Sequence, residues 1–257
     1  MTSMATDQAR TVHVEHCMGT VFSIDIRDAG SWTGAVTDVV AWLHRVDAVF
    51  STYLEDSQIS RIRRSELKVA GADPEVAAVL ELCAQVQAET HGWFTAMPAG
   101  QLDPTGLVKG WAIERASAIL RGHGSRNHSV NGGGDVQLSG ESAPGRAWVI
   151  GISDPRDSQK ILTTVSGRDF AVATSGTAQR GTHLLDPFTG RVVEEWASAS
   201  VIGPSLTRAD AYATAAFVMG EEALRWADGM PGYETLLVAA DSSMYASAGW
   251  VVQAAGE

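Results

Sequence analysis

The sequence predicts an α+β fold. Stretches of helical period and stretches of strand period are mixed without the regular βαβ alternation of a doubly wound sheet, and short β-like runs dominate after residue 122. A hydrophobic share of 45% over 257 residues is that of an ordinary globular core.

The elements follow in order. Residues 1–11 form a polar lead that reads as flexible. Within Val21–Arg27, Phe22, Ile24 and Ile26 alternate on one face, the period of a half-buried strand. From Val36 to Phe50 the apolar positions Val36, Val39, Val40, Leu43, Val46, Val49 and Phe50 recur at three- and four-residue intervals and predict a helix. Asp73-Pro74 opens a second helix, with Asp as N-cap and Pro in the first turn, and its stripe runs through Val76, Val79, Leu80, Cys83 and Val86. A third begins near Asp103-Pro104-Thr105, carries Leu107, Trp111, Ile113, Ala116 and Leu120, and stops at Gly122. Strands are expected around Val130, Trp148–Ile152, Phe170–Ala173, Ser198–Ile202 and Thr235–Ala239, with one more helix over Arg208–Met219. No linker composition or repeat divides the chain, so residues 12–254 are read as a single domain.

A formal net charge of -11 without a basic run leaves no electrostatic footprint for nucleic acid or an anionic membrane surface. No apolar run approaches membrane-spanning length, and the first ten residues lack the apolar stretch of a signal peptide, so a cytoplasmic location without membrane insertion is expected. Two cysteines are too few for a disulfide framework. Cys83 reads as a core residue, and Cys17 as structural because nothing nearby in sequence lowers a thiol pKa.

Four segments carry possible chemistry. Asn131-Gly132-Gly133-Gly134-Asp135 follows a strand, where missing Cβ atoms let a backbone approach a ligand, although a plain tight turn explains the same residues. It lacks the spacing of a dinucleotide fingerprint. Ala173-Thr174-Ser175-Gly176-Thr177 offers hydroxyls and N–H groups suited to phosphate oxygens. His183-Leu184-Leu185-Asp186-Pro187-Phe188-Thr189-Gly190 contains turn chemistry, with His183 either a proton acceptor or a scaffold group. On the last helix, Asp210 and Thr214 are four apart and share a face, so two hard oxygen donors suited to magnesium point one way; an Asp favoured by the helix dipole is the plainer reading.

Taken together and in this order, the segments resemble the FAD:protein FMN transferase (ApbE) family over about Val12 to Val251. Met18-Gly19-Thr20 is similar to its opening strand motif, and Phe50-Ser51-Thr52-Tyr53 with Asp56-Ser57 to its flavin-contacting loop. Leu102-Asp103-Pro104-Thr105-Gly106-Leu107-Val108-Lys109-Gly110 is similar to its Asp-to-Lys-Gly segment, and Ala209-Asp210-Ala211-Tyr212-Ala213-Thr214 to a helix start. The resemblance implies a mixed α/β fold with antiparallel-rich sheets flanked by helices. It also implies that Met18, Tyr53, Asp103, Lys109 and the backbone of Leu185 contact FAD, with Tyr53 packing on an aromatic ring. Mg2+ would be held by Asp210, Thr214 and the Gly106 carbonyl. Two departures stand out: the stretch from Trp93-Phe94 to Asp103 is short, and Thr95-Ala96 stands where the family commonly has an acidic residue. Many members are exported lipoproteins, an expectation that the first ten residues, without a continuous apolar stretch, do not match.

The activity so implied is Mg-dependent transfer of FMN from FAD, used as substrate, to a Thr or Ser hydroxyl of an acceptor flavoprotein, with release of AMP. Lys109 would offset phosphate charge, Thr174, Ser175 and Gly176 would hold the diphosphate, and His183 would accept the hydroxyl proton, with Asp210 a weaker alternative. Two rivals stay open: an Mg-dependent FAD pyrophosphatase yielding FMN and AMP, and a non-catalytic FAD-binding protein. Zinc and serine hydrolase chemistry is disfavoured, since the seven histidines lack ligand spacing and no Gly-x-Ser-x-Gly elbow occurs.

Overall fold

A computed structural model describes residues 10–176 and 184–250. The chain opens with a hairpin of β1 (Thr11–Cys17) and β2 (Thr20–Ile26), turned at Met18 and Gly19, both of positive φ. Four helices follow: α1 (Thr33–Phe50), α2 (Gln58–Arg63), α3 (Pro74–Glu89) and α4 (Thr105–Gly122). Next come β3 (His128–Gly132), β4 (Asp135–Ser139), β5 (Trp148–Asp154), β6 (Asp157–Gly167), β7 (Ala171–Gly176) and β8 (Trp196–Gly203). The last elements are α5 (Leu206–Met219), α6 (Glu222–Asp228), β9 (Glu234–Ala239) and β10 (Met244–Ala246).

Eight strands form one sheet in the order β1-β2-β3-β4-β7-β8-β9-β10, each neighbouring pair antiparallel, while β5 and β6 form a separate hairpin. The expected α+β class is what the chain adopts. Successive strand residues face opposite sides. Ala171, Ala173 and Leu237 therefore join the helices in the main core, whereas Val172 and Leu236 join Trp148, Ile152 and Val165 of the small hairpin in a second cluster. Phe22, Ile24 and Ile26 are fully buried in the main core, as their alternation predicts, and burial of each such side chain contributes about 1.5–3 kcal/mol.

The regular helical stripes lie where expected, and elements that break the patterns were missed. β1 is an edge strand whose Val12 and Val14 face solvent while His13 and Glu15 turn inward, the reverse of a readable strand. β6 is largely polar and exposed, α2 spans a turn and a half, and β4, α6 and β10 are short. Asp73 occupies the N-cap of α3 with Pro74 at the first position, but its side chain makes no cap bond; the carboxylate accepts from Arg45 at 3.0 Å instead. Both cysteines are buried, and burial pushes the thiol of Cys17 up to about 11 and that of Cys83 up to about 12, as structural cysteines require. Among the described residues no helix is long and apolar enough to cross a membrane.

His128 of β3 is fully buried between two hydroxyls, with Ser117 Oγ 2.8 Å from Nε2 and Ser125 Oγ 2.9 Å from Nδ1. Ser125 donates to Asp28 and Ser117 accepts from Arg121, which makes Nδ1 the protonated nitrogen and Nε2 the acceptor. A second proton has no acceptor, and burial, reinforced by the Arg121 charge, pulls the imidazole down to about 4. The folded pKa lies below the ordinary value of 6.5, so the unfolded chain takes up the proton first. Stability is complete above pH 6.5 and falls towards pH 4, by ~3 kcal/mol at ~1.4 kcal/mol per unit. Urea midpoints measured from pH 8 to pH 4 should show this fall. His128→Gln should be less stable at pH 8 and lack the part of the slope between pH 6.5 and pH 4; an unchanged slope would reject the assignment.

Candidate functional site

A cleft of about 310 Å³ opens where the N-terminal half of α4, the end of β7 and one face of α5 converge. It is lined by Tyr53, Asp103, Gly106, Lys109, Thr174, Ser175, Gly176, Leu185, Asp210 and Thr214. The structure thus brings together ten positions that lie up to 161 residues apart in sequence. Met18 is not among them; it sits in the β1–β2 turn, half-buried against the main core. His183 lies outside the described residues, although its neighbour Leu184 lines the cleft.

The centre of the cleft is set by the contact between α4 and α5. Gly110 has no side chain, and a Cβ there would stand 2.4 Å from the Leu206 carbonyl oxygen and 2.7 Å from Asp210 Cβ. At this separation Asp210 Oδ2 accepts the Gly110 N–H at 2.8 Å. Helical bonding would direct that same N–H to the Gly106 carbonyl, so the carboxylate and that carbonyl share one donor. Thr214, one turn beyond Asp210, places Oγ1 at 3.3 Å from the Asp210 carbonyl and 3.2 Å from Ser175 Oγ. A Cβ on Gly106 would lie 3.6 Å from Thr214 Oγ1, so the first turn of α4 packs directly against Thr214.

Charge in the cleft is dominated by two buried carboxylates around one ammonium. Lys109 Nζ donates to Asp135 Oδ2 and stands 3.4 Å from Asp210 Oδ1, and Asp135 Oδ1 accepts from the Thr174 N–H at 2.9 Å. Burial raises the carboxyl pKa of Asp210 well above the usual range. The neighbouring Asp135 charge adds to this, against the pull of Lys109 and the Gly110 N–H. Asp135 was overlooked as a site residue in the sequence; its signal was its place at the end of the glycine segment.

At the entrance, Asp103 accepts from Thr105 N at 3.0 Å and Thr105 Oγ1 at 2.6 Å, which secures the start of α4, and Arg63 of α2 holds its other oxygen at 3.2 Å. Tyr53 is 83% exposed at the mouth, its ring open to a flat partner. Leu185 bridges to Val192 across the Asp186–Gly190 turn, which Asp186 ties through the Phe188 and Thr189 N–H groups.

The family model described as ApbE matches residues 18–98 and 95–237. This chain belongs to the ApbE family. It is similar to the FAD:protein FMN transferases of Vibrio cholerae, at 32% identity over 49% of this chain and 41% of the relative, and of Treponema pallidum, at 34% over 59% and 47%. In both cases the match spans less than half the relative's length. A third FAD:protein FMN transferase, from Haemophilus influenzae, is 24% identical over 80% of this chain and 79% of its own. Among solved structures, the flavin transferase ApbE of Vibrio cholerae superposes with a TM-score of 0.81 at 22% identity, covering 93% of this chain and 97% of that one. The ApbE protein of Thermotoga maritima gives 0.82 at 23% with the same coverage. These likenesses establish that the mixed sheet-and-helix architecture is the ApbE fold.

Gly110 sets the spacing of α4 and α5 in this ApbE cleft. Gly110→Ala forces α4 from α5 or twists Asp210 away from the Gly110 N–H, so it should lower stability by about 1–3 kcal/mol or more. The same substitution at Gly122, whose Cβ would meet nothing within 4 Å, should be far milder. Denaturant midpoints for the two variants compare them directly; equal losses would refute the tight contact.

Proposed function

We propose that this chain is an FAD:protein FMN transferase. It takes FAD as substrate and, with Mg2+, moves FMN to a Thr or Ser hydroxyl of an acceptor flavoprotein in the cytoplasm, releasing AMP. The observation that carries this reading is the convergence of Asp210, Thr214 and the Gly106 backbone beside Lys109, in a cleft whose mouth presents Tyr53.

The donor set fits magnesium. Asp210 is a buried carboxylate that shares the Lys109 ammonium with Asp135, and the neighbouring donors are a hydroxyl and a carbonyl, all hard oxygens. Among the described residues no group of three or more His, Cys, Asp or Glu could hold a metal, so a zinc-type cluster is not the alternative there. When bound, the ion would neutralise the diphosphate. Lys109 places a further positive charge beside the breaking bond. The Thr174–Gly176 strand end orients the phosphates with its N–H and hydroxyl groups, and Tyr53 packs on a ring of the substrate. The acceptor oxygen bonds to the FMN phosphorus, the phosphorus–oxygen bond to AMP breaks, and AMP leaves with the bonding electrons. In this reading His183 takes the hydroxyl proton; Asp210, engaged with the cation, is the poorer base.

Incubation with FAD and Mg2+, with and without a flavin-acceptor domain, followed by separation of AMP, FMN and flavinylated protein, tests the assignment. AMP with flavin on the acceptor is the expected result. Free FMN with AMP would favour hydrolysis, and unchanged bound FAD would favour a binding protein. Asp210→Ala should lower AMP release by about 100-fold or more, and Thr214→Val by about 10-fold, as loss of charge stabilisation at a reacting centre implies. Chelation of Mg2+ should abolish release, and retained activity without the ion would overturn the metal assignment.

A further inference from the structure

Asp135 follows the glycine run that turns β3 into β4, and its side chain is fully buried. β4 pairs with β7 through Val136–Val172 and Gln137–Ala171. Past that ladder, the Thr174 N–H is taken by Asp135 Oδ1 at 2.9 Å. The other oxygen accepts from Lys109 Nζ on α4. One carboxylate thus joins the strand end that carries Thr174, Ser175 and Gly176 to the helix that carries Gly106 and Lys109. Asp210 reaches the same ammonium at 3.4 Å, but a divalent cation at Asp210 would compete for that carboxylate and leave the Asp135 contact as the longer-lasting anchor.

We propose that Asp135 is a positioning residue for the FAD diphosphate: one oxygen holds the Lys109 ammonium and the other, through the Thr174 N–H, the end of β7, so the ammonium and the strand end meet the substrate in one geometry. The inference rests on the FAD reading above. A lysine stem has four rotatable carbons, and without a fixed acceptor the ammonium samples positions away from the phosphates. Asparagine at this position separates the two contacts. Its carbonyl oxygen can still accept the Thr174 N–H, but its NH2 group turns donors towards the ammonium.

A double-mutant cycle on FAD binding, read by flavin fluorescence in EDTA and in Mg2+, tests the proposal with Asp135→Asn, Lys109→Met and the pair. Each single variant should weaken binding about tenfold or more, the loss expected of a charge-assisted hydrogen bond, and the double variant should bind no worse than Lys109→Met alone. Thermal midpoints for the same proteins separate folding from positioning. If Asp135→Asn does not accumulate folded, Asp135→Glu, which keeps the charge but displaces it by one methylene, is read in the same cycle. Losses that add across the cycle would show that Asp135 supports the fold independently of Lys109 and would overturn the proposal alone. Failure of the wild-type protein to bind FAD would overturn the FAD reading and this inference together.

Discussion

The site depends on how closely α4 approaches α5. That approach exists because Gly110 presents only hydrogen to the Leu206 carbonyl and the Asp210 side chain. Once the helices meet at this distance, Lys109, one residue before Gly110, and Gly106, one turn before it, line the cleft together with Asp210 and with Thr214 one turn further on. Helical periodicity turns a single close contact into a shared lining. A larger residue at Gly110 would have to displace all of them together.

The approach brings an electrostatic cost with it. Asp135 and Asp210 are both buried and share the Lys109 ammonium, an arrangement in which removing water from three charges opposes folding. The fold tolerates it because each carboxylate has a second, fixed partner, the Gly110 N–H for Asp210 and the Thr174 N–H for Asp135. Burial, with the neighbouring Asp135 charge, still keeps the Asp210 carboxyl pKa raised. In the proposed function a cation at Asp210 would relieve this cost.

Much of this arrangement was legible in the sequence, for identifiable reasons. α1, α3, α4 and α5 carry apolar stripes at three- and four-residue spacing, and each lies where that spacing places it. Asp210 and Thr214 could be paired because residues four apart share a helical face, whereas Gly106 and Lys109 were singled out by the family resemblance and not by spacing. β1 was not legible, because its inward positions hold His13 and Glu15, which bond to each other at 3.1 Å, and Glu15 in turn to His44 of α1 at 3.0 Å. A polar inward face defeats a rule built on apolar alternation. Asp135 was missed because its role is long-range: nothing within Asn131–Asp135 reveals that the carboxylate meets a helix residue 26 positions earlier. Met18 packs half-buried on the core and is not among the residues that line the cleft.

The two walls of the cleft are built differently, and the difference suits the two halves of the proposed substrate. The inner wall is anchored by carboxylates at several points. Glu114 of α4 accepts from Ser205 Oγ, Thr207 N and Thr207 Oγ1 at 2.6–2.8 Å and fixes the start of α5. Glu89 of α3 holds Arg208 at 3.0 Å and the Tyr212 hydroxyl at 2.7 Å on another side of that helix. Groups on such elements keep their positions to the accuracy that in-line displacement at phosphorus demands. The outer wall consists of loop residues, with Tyr53 nearly fully exposed and Leu185 carried on a turn. An aromatic ring needs a flat, apolar neighbour rather than an exact set of donors, so an adaptable wall is sufficient for it.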